Sequence, residues 1–226
     1  MVTVYTFSIE NLPDPAGEPG VMARLPKERT EKILKYRCEP DRKRSLGAGL
    51  LLLELLPRYG ADIKDIRISA DGKPEAEGVF FNLSHSGGYV ICAVGDRPVG
   101  CDVEQVKKAP GQVAEHFFCE SEIAYINMAE SGRRDQAFFR IWTMKESYMK
   151  MTGEGMRLPL NEFEILLSSP KAIRVRRAGK LQPCRICCFE LPGYQISVCY
   201  MGSKDLEKSP AEEVTLQAFH WAGNLW

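Results

Sequence analysis

The chain is predicted to be an α+β protein made of two similar halves, a pseudo-dimer, with its functional site in the cleft between them. Three observations predict this. Helical periodicity is followed by short strand-like runs in the first half of the chain and again in the second. The string YVICAVG at 89–95 is echoed by ISVCYMG at 196–202. A chain of 226 residues is long enough for one large domain or two small ones. The expected division lies near residue 105, giving halves of 1–104 and 105–226.

Taken in order, VTVYTFSI at 2–9 reads as an opening strand. Prolines and glycines make 11–20 a loop. Pro26 opens a basic helix over 27–37. Asp41 is expected to cap a second helix reaching about Leu56, with Leu46, Leu50, Leu53 and Leu56 at helical spacing. Ile66 and Ile68 mark a short strand before the turn Asp71-Gly72-Lys73-Pro74. Strands follow at 79–83, 89–94 and 99–104, expected as an antiparallel meander with turns at 84–88 and 95–98. Helices are expected over 112–118, from about 119–121 onward, and over 134–151. The strands after them are expected at 163–167, 172–177, 185–191, 194–200 and 214–221.

Composition narrows the class. Hydrophobic residues make up 44% and charged residues 27%, with a formal net charge of zero. This is soluble-globular usage, with no bulk attraction to nucleic acid or an anionic membrane. Nothing at the N-terminus reads as a signal peptide, and the apolar run 50–56 is short and broken by Glu54, so a cytoplasmic protein without a membrane span is expected. The eight cysteines are then expected reduced. Cys184, Cys187 and Cys188 contain a C-x-x-C. It lacks a second ligand pair at zinc spacing and sits in a strand-like run, so buried thiols are expected.

The chemistry-bearing residues fall in two segments. Asp102 and Glu104 are two apart on a strand and so share a face, while Val99, Cys101 and Val103 turn toward a core. Such a pair is common on exposed strands. Glu146 adds to it, because it lies in an apolar helix where a carboxylate needs a partner. Three carboxylates without histidine or thiolate point to a hard cation such as Mg2+ rather than zinc. Ser84 and His85, beside glycines, read either as an ordinary turn or as a phosphate grip. Arg29, Lys32, Arg44, Lys73 and Lys150 read singly as surface charges, and as an anion clamp if they share one ligand.

FNLSHSGGYVICAVGDRPVGCDVE and FFRIWTMKESYMKMTGEGMRLPL resemble the signature motifs of the 4'-phosphopantetheinyl transferases, of the surfactin-synthetase-activating, Sfp-like monomeric type. The likeness spans about residues 25–165. It implies a pseudo-dimer that moves the phosphopantetheine arm of coenzyme A to a serine of an apo acyl, peptidyl or aryl carrier protein and releases 3',5'-adenosine bisphosphate. It further implies that Asp102, Glu104 and Glu146 hold Mg2+. Ser84, His85, Lys73 and Lys150 would contact coenzyme A, together with Arg29, Lys32, Arg44 and Ser45. Glu146 or Glu122 would take the serine proton. A carrier from fatty acid, polyketide or nonribosomal peptide synthesis would dock on a basic or apolar strip near 112–130. The rival readings are a Mg2+-dependent nucleotide phosphohydrolase and a non-catalytic coenzyme A or carrier-binding module.

Overall fold

The computed structural model describes residues 1–167, 173–202 and 214–220. The first half contains β1 (Val2–Ser8), α1 (Lys27–Leu34), α2 (Glu39–Leu55), β2 (Arg67–Ile68), β3 (Pro74–Glu75), β4 (Phe80–Ser86), β5 (Tyr89–Gly95) and β6 (Val99–Gln105). Then come α3 (Val113–Phe117), α4 (Glu120–Met128), α5 (Arg134–Thr152), β7 (Phe163–Leu167), β8 (Ile173–Arg177), β9 (Lys180–Leu181), β10 (Cys184–Leu191), β11 (Tyr194–Met201) and β12 (Val214–Ala218). The expected strand ends at 172 and 221 lie outside the described residues.

Two antiparallel sheets carry the fold. One runs β12-β1-β5-β4, with β12 parallel to β1, and the other runs β6-β11-β10-β8-β7. The echoed strings are the interior strands β5 and β11. Each has a neighbour on both sides and one long helix nearby, α2 for β5 and α5 for β11. Apolar side chains collect in three places. Leu46, Leu50 and Leu51 of α2 pack on Phe7 and Val90 in the first half. Ile141, Met144 and Tyr148 of α5 pack on Phe163 and Ile186 in the second. Between the sheets, Val4, Ile91 and Ala93 meet Val99, Cys101, Val103 and Val198. This third cluster joins the halves.

The meander expected over 79–104 ends after two strands. β4 and β5 form a hairpin, but β6 pairs with β11 of the other sheet. Burial on both faces is the reason. Val99, Cys101 and Val103 lie flat on the first sheet, so β6 stacks across that sheet instead of extending its edge. Sheet membership crosses residue 105 in both directions, since β12 returns to β1.

Two local expectations are also corrected. Asp41 does not cap α2; the helix starts after Cys38, which is extended and makes no side-chain capping bond, and Asp41 instead pairs with Arg44 at 2.5 Å. Ser84 and Ser86 belong to β4, facing Ile91 and Tyr89, so the turn is Gly87-Gly88 alone. Gly87 takes φ 53°, and a Cβ there would meet the Tyr194 hydroxyl and Gln105 Oε1.

Helix α5 lies against β6 at Gly100. A Cβ on Gly100 would collide with the Ser147 carbonyl and the Met151 amide. Because Gly100, Asp102 and Glu104 share a face by strand periodicity, this contact sets the carboxylates beside α5. Gly100→Ala is expected to lower stability by about 3 kcal/mol or more in urea denaturation, since backbone rather than a flexible side chain blocks the methyl. A loss under about 1 kcal/mol would contradict this packing.

Candidate active site

A cleft of about 430 Å³ opens between the halves. Arg29 and Lys32 of α1 and Ser45 of α2 line one wall, Ser84 and His85 of β4 the floor, and Asp102, Glu104, Glu146 and Lys150 the wall of the second half. Nine of the sequence-predicted residues therefore converge. Arg44, Lys73 and Glu122 are absent from the lining. Arg44 donates to the Gly87 carbonyl at 3.0 Å and so holds the hairpin turn. Lys73 donates to the Lys150 carbonyl at 3.1 Å, tying the β2–β3 turn to α5, and lines a smaller neighbouring hollow of about 280 Å³.

Glu122, expected as a possible base, is buried in the second core. Its oxygens accept from the amides of Cys119 (2.8 Å) and Ile165 (2.7 Å), and it pairs with Lys145 at 2.8 Å with both side chains 0% exposed. Lys145 also donates to the carbonyls of Leu160 and Phe163, each at 2.8 Å. Burial raises the Glu122 pKa and lowers that of Lys145, and each partner opposes the other's shift. A closed network of this kind ties α4, α5 and β7 together and leaves no oxygen free to take a substrate proton.

The cleft carboxylates are arranged differently. Asp102 Oδ1 accepts from Ser84 at 2.8 Å and from Lys150 at 2.7 Å, whereas Asp102 Oδ2 is buried with no hydrogen-bond partner. Ser84 itself accepts from Lys150 at 3.0 Å. Ser86 donates to Glu104 Oε2 at 2.7 Å. The pKa of Glu104 is raised by burial, lowered by the Ser86 hydroxyl and raised again by Asp102. Burial and then Asp102 raise that of Glu146, with Lys150 opposing. Burial works against the charge on Lys150, but Asp102 and other neighbours outweigh it and its pKa is raised. Across from them, burial lowers the pKa of His85.

Three carboxylates thus face a single ammonium on this wall, an acidic excess that is costly in a half-buried site. An orphaned aspartate oxygen and two strained carboxylates fit a divalent cation with oxygen ligands. Among the described residues no group of three or more acidic, histidine or cysteine side chains stands close enough to hold a metal ion, which applies to these carboxylates as it does to the C-x-x-C. The cysteines are free, and Cys184 is buried. Sequence reasoning missed three contributors. Tyr36 and Trp142 line the cleft, and Ser86 braces Glu104. The polar alternation Asn82, Ser84, Ser86 in an otherwise apolar strand was the readable signal for the third.

Fold and site define a two-half α+β protein in which basic and acidic side chains of both halves line one cleft. A family model for the 4'-phosphopantetheinyl transferase superfamily matches residues 98–199, from the start of β6 through β11. The chain is 32% identical over 185 residues to the 4'-phosphopantetheinyl transferase Sfp of Bacillus subtilis (strain 168), covering 79% of this chain and 83% of that protein. It is 33% identical over 187 residues to the 4'-phosphopantetheinyl transferase gsp of Aneurinibacillus migulanus, covering 80% and 78%. A holo-[acyl-carrier-protein] synthase of Thermotoga maritima overlays 47% of this chain and 64% of its own, with a TM-score of 0.41 and 19% identity. The chain belongs to the 4'-phosphopantetheinyl transferase family.

Two stability effects of opposite sign are expected. Lys145→Met leaves Glu122 buried and unpaired and should cost about 3–5 kcal/mol in chemical denaturation. Glu146→Gln should raise the melting temperature of the cation-free protein. The folded state holds the Glu146 proton more tightly than the unfolded state does, so stability is lost as pH rises from the ordinary carboxylate range through the raised pKa. The gain should be present near about pH 7 and shrink toward about pH 4. A melting temperature unchanged or lowered at neutral pH would contradict the electrostatic account.

Proposed function

We propose that this chain transfers the 4'-phosphopantetheine arm of coenzyme A to a serine of an apo carrier protein, with a divalent cation, Mg2+, held by Asp102, Glu104 and Glu146. The observation that carries this reading is the convergence of those three carboxylates with Lys150, His85, Arg29 and Lys32 around one cleft. The bound cation would supply charge neutralisation at the pyrophosphate. Arg29, Lys32 and His85 face the carboxylates across the cleft and suit the phosphates of coenzyme A. Lys150 lies within the second wall, where an ammonium offsets charge growing on the leaving bisphosphate.

Chemistry then needs one proton moved. The carrier serine oxygen attacks the phosphorus that bears pantetheine, the bond to the adenosine-side phosphate breaks, and 3',5'-adenosine bisphosphate leaves. The serine proton passes to a Glu146 carboxylate oxygen. No nucleophile is required of the enzyme, consistent with a cleft lacking cysteine.

The carrier is proposed to dock across α3 and α4, where Phe117 is 52% and Met128 87% exposed. Glu115 and Glu120 are exposed alongside, so the strip is apolar with acidic flanks rather than basic. We also read the protein as a cytoplasmic monomer. Both halves of the chain contribute to the cleft, the cysteines are free, and among the described residues no helix is long and apolar enough to cross a membrane.

Mass spectrometry of an apo carrier incubated with this protein, coenzyme A and Mg2+ should show addition of one phosphopantetheine arm, lost on adding EDTA. Glu146→Gln should reduce the rate on the order of 10²–10⁴-fold while coenzyme A affinity changes little. Coenzyme A breakdown without an acceptor would favour the phosphohydrolase. Binding without transfer to any carrier would favour the non-catalytic module.

A further inference from the structure

We propose that Ser86 is a positioning residue for Glu104, fixing that carboxylate in the cleft for a divalent cation. The inference rests on the cation reading above and extends it to a side chain that does not line the cleft.

The argument starts from donor and acceptor counting. A serine hydroxyl has one proton to give. Ser86 Oγ accepts from the Gln105 amide at 3.1 Å, and its proton goes to Glu104 Oε2 at 2.7 Å. Ser84 repeats the pattern one pleat earlier. It accepts from the Val103 amide at 3.4 Å and donates to Asp102 Oδ1 at 2.8 Å. Asp102 has a second donor in Lys150, whereas the donor that orients Glu104 is Ser86. A free glutamate loses rotamer freedom when it is fixed. A hydrogen bond made before the cation arrives meets part of that cost in advance.

Ser86 is itself held from both halves. The hairpin turn that follows it is gripped by Tyr194 of β11, whose hydroxyl accepts from the Gly88 amide at 2.9 Å, and by Arg44 at the Gly87 carbonyl. The turn also fits too closely against Tyr194 and Gln105 to admit a side chain at Gly87. The Gln105 amide, by contrast, is at an exposed position and can turn to water if Ser86 is lost. The brace therefore bears on the carboxylate more than on the fold.

The test is Mn2+ binding followed by electron paramagnetic resonance, with coenzyme A present, in the parent, Ser86→Ala and Ser86→Thr proteins, each also melted thermally. Loss of an outer partner to a ligating group weakens metal binding about 10–100-fold, so Ser86→Ala should raise the Mn2+ dissociation constant by at least about tenfold and Ser86→Thr should restore most of it. Both variants should melt within about 4 °C of the parent. Parent-like Mn2+ affinity in Ser86→Ala, a threonine variant as weak as the alanine one, or a collapse in melting temperature would overturn the role of Ser86 while leaving the cation site standing. No Mn2+ binding by the parent would overturn both.

Discussion

Strand β6 is hydrogen-bonded by backbone on one edge only, and the structure depends on how its other edge is satisfied. Toward the first half its amides meet side chains. Cys101 donates to Asn82 Oδ1 at 2.9 Å, Val103 to Ser84 and Gln105 to Ser86. The Cys101 and Val103 amides are buried, and a buried amide left unpaired costs about 1–3 kcal/mol, so these two side-chain bonds keep β6 at the seam of two sheets. A backbone ladder would have merged β6 into the first sheet and used up the polar groups that orient the carboxylates. The same strand of polar side chains thus closes the interface and arranges the site.

The second determinant is how charge is divided along α5. Lys145 and Glu146 are neighbours in sequence but face opposite environments. Lys145 points into the core, where Glu122 and two carbonyls complete its coordination. Glu146 points into the cleft, where burial and then Asp102 and Glu104 disfavour its ionisation. One turn on, Lys150 offsets part of that excess through Asp102. A residue with no side chain, Gly100, lets α5 come close enough for these groups to share a wall. The core pair is electrically closed, whereas on the wall formed by β6 and α5 one ammonium, Lys150, stands among three carboxylates.

Much of this was legible in the sequence. Period-two spacing placed Asp102 and Glu104 together, and the apolar surroundings of Glu146 marked it as unusual. The helix and strand order held because the long segments carry strong periodicity. Pairing was less legible. Nothing local distinguishes β6 as a third meander strand from β6 as a strand of the other sheet, because that choice is made by contacts roughly ninety residues away at Tyr194–Tyr200. Glu122 misled for a similar reason: a carboxylate in the first turn of a helix looks available until the lysine that buries it is seen. Arg44 and Lys73 were read as ligand contacts from their charge; they lie outside the cleft lining, and the backbone carbonyls each donates to are not visible in a sequence.

We propose that coenzyme A and a divalent cation meet between the two halves, against Asp102, Glu104 and Glu146. The most direct test is an anomalous difference map from crystals grown with coenzyme A and Mn2+. The account places one Mn2+ peak among those three carboxylates, with the coenzyme A phosphates toward Arg29, Lys32 and His85. A peak elsewhere, or coenzyme A bound outside this cleft, would contradict it.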